Sequence, residues 1–140
     1  MLNIHIKTIQ HSYQRYETPG DFFSDGVSDN FFVSGLNDWR YEVLIAVHEL
    51  CEWALVKYAC IDEKDITKFD QMFEEERSQG LHDKYAEAGD DPRAPYRKQH
   101  FIATTIERML GFALNVDWNK YDEAVISLLP KEKVNGISHS

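Results

Sequence analysis

The stretch WRYEVLIAVHELCEWALVKYAC, residues 39–60, decides the fold. Trp39, Val43, Leu44, Val47, Leu50, Ala54, Leu55 and Tyr58 put apolar side chains on nearly every face of a helix running from about Asp38 to Cys60, with Asn37 as its expected cap. A helix apolar all round is usually buried, so this one is expected at the centre of the molecule. Into it the sequence sets His48 and Glu52, four residues apart and stacked on one face with Tyr41, Ile45 and Ala59. Glu49 lies beside them. An unpaired carboxylate is costly to bury, so Glu52 needs a cation, a hydrogen-bond network or a water-filled cleft.

Before this helix, Leu2, Ile4 and Ile6 alternate with Asn3, His5 and Lys7, the period-two signature of a half-buried strand. Thr18-Pro19-Gly20 breaks the chain. Phe22-Phe23 and Phe31-Phe32-Val33, separated by the turn-rich SDGVSDN, read as an antiparallel hairpin. After the helix, Asp62 opens a second one reaching about Ser78, with Asp65 in its first turn. A polar stretch from Gly80 to Pro95 follows, and Pro95 is placed to begin a third helix from Tyr96 to about Asn115. Asp117 or Asn119 can cap a fourth, which stops at Pro130. The expected class is α+β and mainly helical: a small N-terminal antiparallel sheet or hairpin, then a bundle of about four helices. One domain is expected over residues 1–130, strand-rich to 36 and helical from 37, with a flexible tail at 131–140.

A chain of 140 residues, 43% hydrophobic and 13% aromatic, can bury a single core. No apolar run approaches the ~20 residues that span a bilayer, so no membrane association is expected. The start, MLNIHIKTIQH, has the pattern of neither a secretory signal nor a transit peptide. Cys51 and Cys60 fall in one expected helix, where nine residues rise ~13 Å, beyond disulfide reach. Reduced, buried cysteines suit a cytoplasmic protein. The net charge of -9 argues against unspecific binding to nucleic-acid phosphates, but leaves room for a small phosphorylated substrate held through a divalent cation.

The second and third helices carry further polar residues on defined stripes. Ile66, Phe69 and Phe73 form the apolar stripe of the second, and Asp70 falls inside it with Arg77 one turn further. Asp70 is then either paired, with Arg77 as the favoured partner, or a ligand. On the third helix His100, Ala103, Thr104, Glu107 and Gly111 form one stripe, with Ile102, Ile106, Met109 and Ala113 on a separate apolar face. Converging stripes would build a histidine–carboxylate cluster inside a bundle, with His48, Glu52 and His100 as core ligands and Asp70 and Glu107 as additional ones. Such a site suits zinc when mononuclear, and manganese, iron or magnesium when carboxylate-rich. The alternative is a buried His48–Glu52 pair that fixes helix packing. Arg93 and Arg97, at the end of the Gly80–Pro95 loop, read as surface charge in preference to an anion site.

The string HELCE, residues 48–52, resembles the HExxH helix of zinc peptidases with its second histidine replaced by Glu52. That resemblance implies a role for Glu49 as the base that polarises an attacking water. The order His48, His82-Asp83, then Asp117 or Asp122 resembles HD-type phosphohydrolases, although here the His-Asp pair lies in a polar segment. Glu49 and Glu52 followed by Asp62 and Asp65 resemble the paired acids with which all-helical nucleotide pyrophosphohydrolases hold magnesium. QRY-x-T-x-GD from Gln14, HEL-x-E, FD-x-x-FE, and DDPRAPY-x-x-x-H with AT-x-IE, ending at Glu107, together resemble an uncharacterised group of small phage or prophage-type proteins. That likeness implies a stand-alone intracellular protein and brings no activity with it. The functional expectation is a divalent-metal-binding protein, with hydrolysis of a small molecule or peptide among its activities. The alternatives are a non-enzymatic interaction protein with a structural polar cluster, and a magnesium-dependent nucleotide phosphohydrolase. Nothing in the sequence fixes the oligomeric state.

Overall fold

The computed structural model describes residues 1–129, so the expected tail at 131–140 and the stop at Pro130 lie outside the described residues. Three strands, β1 (Ile4–Ile9), β2 (Gly20–Ser24) and β3 (Asp29–Ser34), precede four helices, α1 (Trp39–Tyr58), α2 (Glu63–Ser78), α3 (Arg97–Ala113) and α4 (Trp118–Ile126). Short 3-10 turns occur at His11–Tyr13 and Ala88–Asp90. The α+β reading therefore holds, with a small sheet first and the helices after it.

The hairpin forms as its residues dictate: β2 and β3 run antiparallel with Phe22 opposite Phe31, and Asp25 closes the turn by accepting from the backbone N–H groups of Val27 and Ser28. The first strand departs from expectation. It pairs parallel to β3, so the sheet is mixed, in the order β1-β3-β2. It is also an edge strand rather than a half-buried one. Leu2 and Ile6 are exposed, and Ile4 packs against the core from a partly buried position. Period-two alternation reports a pleat, but a strand at a sheet edge has too little cover to bury its apolar side.

Helix α1 ends two residues earlier than expected, and its cap is Asp38, whose side chain accepts from Arg40 N–H. Asn37 instead takes a left-handed turn, with φ of 60°. Cys60 lies beyond the helix, exposed and also left-handed, while Cys51 is half-buried. Both are free, but the expectation that both are buried fails for Cys60. Asp62 caps α2 and Asp117 caps α4. No helix among the described residues is long and apolar enough to cross a membrane.

The core has two parts, both built on α1. Phe22, Phe31, Trp53, Val56 and the α2 stripe of Ile66, Phe69 and Phe73 form one. Val33, Leu44, Ile45 and Tyr121 form the other. Each fully buried large apolar side chain contributes about 1.5–3 kcal/mol. His48 and Glu52 fall on α1 between Leu44-Ile45 and Trp53-Val56, and are buried themselves. The polar pair is thus held between two apolar clamps, where helix position is well defined.

Candidate metal centre

Three ligand-type atoms converge where α1 meets α3. His48 Nε2 lies 3.0 Å from Glu52 Oε2 and 3.2 Å from His100 Nδ1, and His100 Nδ1 lies 3.0 Å from the same Glu52 oxygen. All three residues are buried, and their ligand atoms form one cluster able to hold a metal ion. An ion bound at ~2.0–2.1 Å by nitrogen and oxygen in tetrahedral geometry keeps its ligands about 3.3–3.4 Å apart. The observed triangle needs to open by only a few tenths of an ångström to match. The α1–α3 interface thus brings His48 and Glu52 against His100, as the spacing of their stripes implied.

The remaining nitrogens of both histidines point at carboxylates. His48 Nδ1 lies 2.7 Å from Glu107 Oε1, and the other oxygen of Glu107 accepts from the Tyr121 hydroxyl at 2.6 Å. His100 Nε2 lies 3.5 Å from Glu87 and 3.6 Å from Asp90 and makes no hydrogen bond. The loop carrying Glu87 and Asp90 can lie this close because residue 89 is glycine: a Cβ there would overlap the His100 ring. Imidazoles backed by carboxylates in this way have a fixed tautomer and a more basic ligating nitrogen.

Without an ion the cluster is an ion-paired network. Burial opposes charge on His48, but hydrogen bonds to Glu107 and Glu52 outweigh it and hold the imidazole well above its usual pKa. Burial also opposes charge on His100, yet Glu52 and Glu87 push it up to about 10. Burial would raise Glu52; its bonds to His100 and His48 instead bring it down to about 2. The arrangement has one uncomfortable feature. Two imidazole nitrogens face each other at 3.2 Å over one oxygen, so their protons compete for the same acceptor.

Glu49 belongs to the same cleft, which has a volume of about 360 Å³ and is also lined by Tyr16, Asp70 and Tyr96. It makes no hydrogen bond to a described residue. Burial, followed by repulsion from Glu52, raises its carboxyl well above the ordinary value. Gly20 leaves the space it occupies, since a Cβ on residue 20 would come within 2.7 Å of Glu49 Oε1.

Two of the expected ligands stand apart from the three-atom cluster. Glu107 reaches His48 from the far side, at Nδ1. Asp70 accepts from the hydroxyls of Tyr16, at 3.0 Å, and of Tyr96. Burial, only partly countered by the Tyr96 bond and reinforced by Glu52, raises Asp70 to about 7. Asp70 does not pair with Arg77. That arginine is buried, bonds to Glu74 at 2.7 Å, and donates to the carbonyls of Asp83, Lys84 and Ala86, pinning the start of the loop.

The competing arrangements are not assembled. His82 stacks on Phe73 and bonds to Glu76, away from the cluster. Asp62 serves as a cap and Asp65 is exposed. Arg93 is engaged by Asp91 and Glu76, in keeping with the surface-charge reading. Sequence reasoning did not single out Glu87, Asp90, Tyr121 or the tyrosines on Asp70. Their roles depend on loop path and helix crossing rather than on spacing within a segment. Comparison with protein-family models, with curated proteins and with solved structures gave no match to this chain.

Proposed function

We propose that this is a divalent-metal-binding protein whose ion is held by His48 Nε2, Glu52 Oε2 and His100 Nδ1. The observation that carries the reading is the mutual approach of these three atoms, 3.0–3.2 Å apart in a buried site. Its support comes from the second nitrogen of each histidine, which faces a carboxylate. The donor set of two nitrogens and one oxygen suits zinc, with a fourth position left for water or substrate. Glu107, Glu87 and Asp90 then position the histidines rather than ligate.

A hydrolase is the activity this site supports best. A divalent ion there supplies Lewis acidity and lowers the pKa of a nearby water. Glu49, next to His48 on α1 and without a hydrogen bond among the described residues, is the group we assign to take that water's proton. Asp70, held by Tyr16 and Tyr96, shapes the cleft wall. A cytoplasmic setting forms part of this reading and rests on the two free cysteines.

One specific observation favours a second reading, a purely structural cluster. His48 contacts both Glu52 and Glu107, and His100 contacts Glu52, without any metal. Elemental analysis of the purified protein, with zinc titration of the chelator-treated form, separates the two. Metal binding predicts about one ion per chain, lost in His48→Ala and His100→Ala variants that keep the circular dichroism of the parent. A folded parent that takes up no zinc, manganese, iron or magnesium establishes the structural reading.

A further inference from the structure

His100 has two ring nitrogens, and the cluster where α1 meets α3 engages only Nδ1. The residue is 6% exposed, and its Nε2 has no hydrogen-bond partner among the described residues. A buried ring nitrogen left alone is costly, so its surroundings must supply a partner. Glu87 Oε1 lies 3.5 Å from it and Asp90 Oδ1 3.6 Å. Those separations exceed the ~2.7–3.2 Å of an N–H···O bond. They match donors around a shared ion, since bonds of ~2.0–2.2 Å in tetrahedral geometry set ligands about 3.3–3.6 Å apart. All three atoms lie within 4.8 Å of one another.

The chain builds this arrangement locally. Glu87 and Asp90 are three residues apart across a 3-10 turn, where positions i and i+3 eclipse, so both carboxylates leave it on one side. Gly89 lets the backbone of the turn lie on the imidazole. Both ends of the turn are tied: Arg77 donates to the Ala86 carbonyl, and Arg97 to the Asp90 carbonyl at 3.2 Å. Arg97 thus meets the backbone, and neither carboxylate accepts a hydrogen bond from a described residue.

We propose a second divalent-cation site at the edge of the cleft, formed by His100 Nε2, Glu87 and Asp90, with the His100 ring bridging it to the inner ion. Toward the inner ion Glu87 and Asp90 act through His100; toward the outer one they are ligands. The Nε2 proton leaves to solvent as the outer ion takes its place, and with both ions bound the ring is an imidazolate. One nitrogen and two carboxylates suit zinc or manganese. The side chains of Glu87 and Asp90 are 54% and 60% exposed, so this ion keeps water ligands and is held more weakly than the inner one. The ring between the ions sets them farther apart than the ~3.5–4 Å of sites that share one reacting oxygen. The outer ion therefore clamps the turn onto His100 and takes no part in the hydrolysis. Its site shares a residue with the inner one but does not require it.

Zinc titration of the chelator-treated full chain, followed by calorimetry and by ¹⁵N spectra of the histidine rings, tests this. A second, weaker ion should enter after the tight one and shift His100 Nε2. Glu87→Gln combined with Asp90→Asn, at exposed positions outside the core, should lose the weak ion and keep the tight one. His48→Ala should do the reverse, which keeps failure here distinct from failure of the inner site. Circular dichroism confirms the fold of each variant. A single ion that is lost from the Glu87 and Asp90 variant but not from His48→Ala supports the outer site and overturns the inner one. Saturation at one ion that the Glu87 and Asp90 variant still binds overturns the inference. So does a second ion that this variant retains, or one that leaves His100 Nε2 unmoved. A folded chain that binds no zinc overturns both sites.

Discussion

Replacing Glu107 separates a metal centre from an ion-paired core more sharply than replacing a ligand, because Glu107 meets the three-residue cluster at the far nitrogen of His48. In the metal-bound form His48 ligates through Nε2, so Nδ1 must carry its proton and donate it to Glu107 Oε1, now 2.7 Å away. Glu107→Gln keeps an acceptor in place for that proton. It removes the negative charge that makes the imidazole more basic, and it leaves the Tyr121 hydroxyl facing an amide. Glu107→Ala removes the acceptor as well and leaves Nδ1–H unpaired in a buried site, at about 1–3 kcal/mol. Carboxylates behind metal-bound histidines are worth 10–100-fold in affinity, or about 1.4–2.7 kcal/mol. The glutamine variant should therefore bind zinc about 10-fold more weakly, and the alanine variant about 100-fold. Competition against a chromophoric chelator measures both, with circular dichroism confirming the fold. If zinc binds all three proteins equally, Glu107 does not position a ligand and His48 Nε2 is not on the ion.

Three further outcomes follow from the geometry. Their carboxylate partners hold both histidines above the ordinary imidazole pKa in the metal-free protein, His100 at about 10, so binding at pH 7 should release protons, at least about one per ion; calorimetry in buffers of different ionisation enthalpy measures this, and release near zero rejects the ligand assignment. Gly89→Ala should displace the His100 ring, lowering stability by about 1–3 kcal/mol and weakening metal binding, whereas an alanine tolerated without loss of either would show that the loop does not hold His100 in place. Asp70 binds a proton more tightly when folded, its pKa raised from 3.8 to about 7, so stability should fall as pH rises from about 4 to 7 and stay low above that. Asp70→Asn should flatten that segment of the urea-denaturation profile and be the more stable protein at pH 8; a profile unchanged by the substitution would show that another group sets the slope.

What could be read in advance was whatever a single segment encodes. The four helices, their order and the hairpin follow from periodicity and capping chemistry, with Asp62 and Asp117 marking helix starts, although α1 is capped by Asp38 and not by Asn37. Parallel pairing of β1 could not be read, because an edge strand and a half-buried strand share the same alternation and differ only in what covers them. The central cluster was legible because His48 and Glu52 share a face of α1, and His100 falls on the small-residue stripe of α3. The division of labour among the acids was not. Spacing puts His100 and Glu107 on one stripe, but whether a carboxylate meets a ligating nitrogen or its opposite depends on how two helices cross. Asp70 illustrates the same limit. Its stripe position marks it as needing a partner, and the partners proved to be Tyr16, from the strand-rich segment, and Tyr96, just before α3.

The structural and metal readings describe the same four side chains with different cations. Metal-free, His48 lies between Glu52 and Glu107, and His100 meets the same oxygen of Glu52. With both imidazoles protonated, exchanging their two protons for one divalent ion would leave the net charge of the group unchanged. The buried charge that makes an isolated carboxylate costly is therefore compensated in either state. The feature that breaks the symmetry is the pair of nitrogens 3.2 Å apart over Glu52 Oε2, where two N–H groups crowd one acceptor and an ion needs both lone pairs. Protons can balance the charge of this site, whereas a bound ion would also take up both lone pairs.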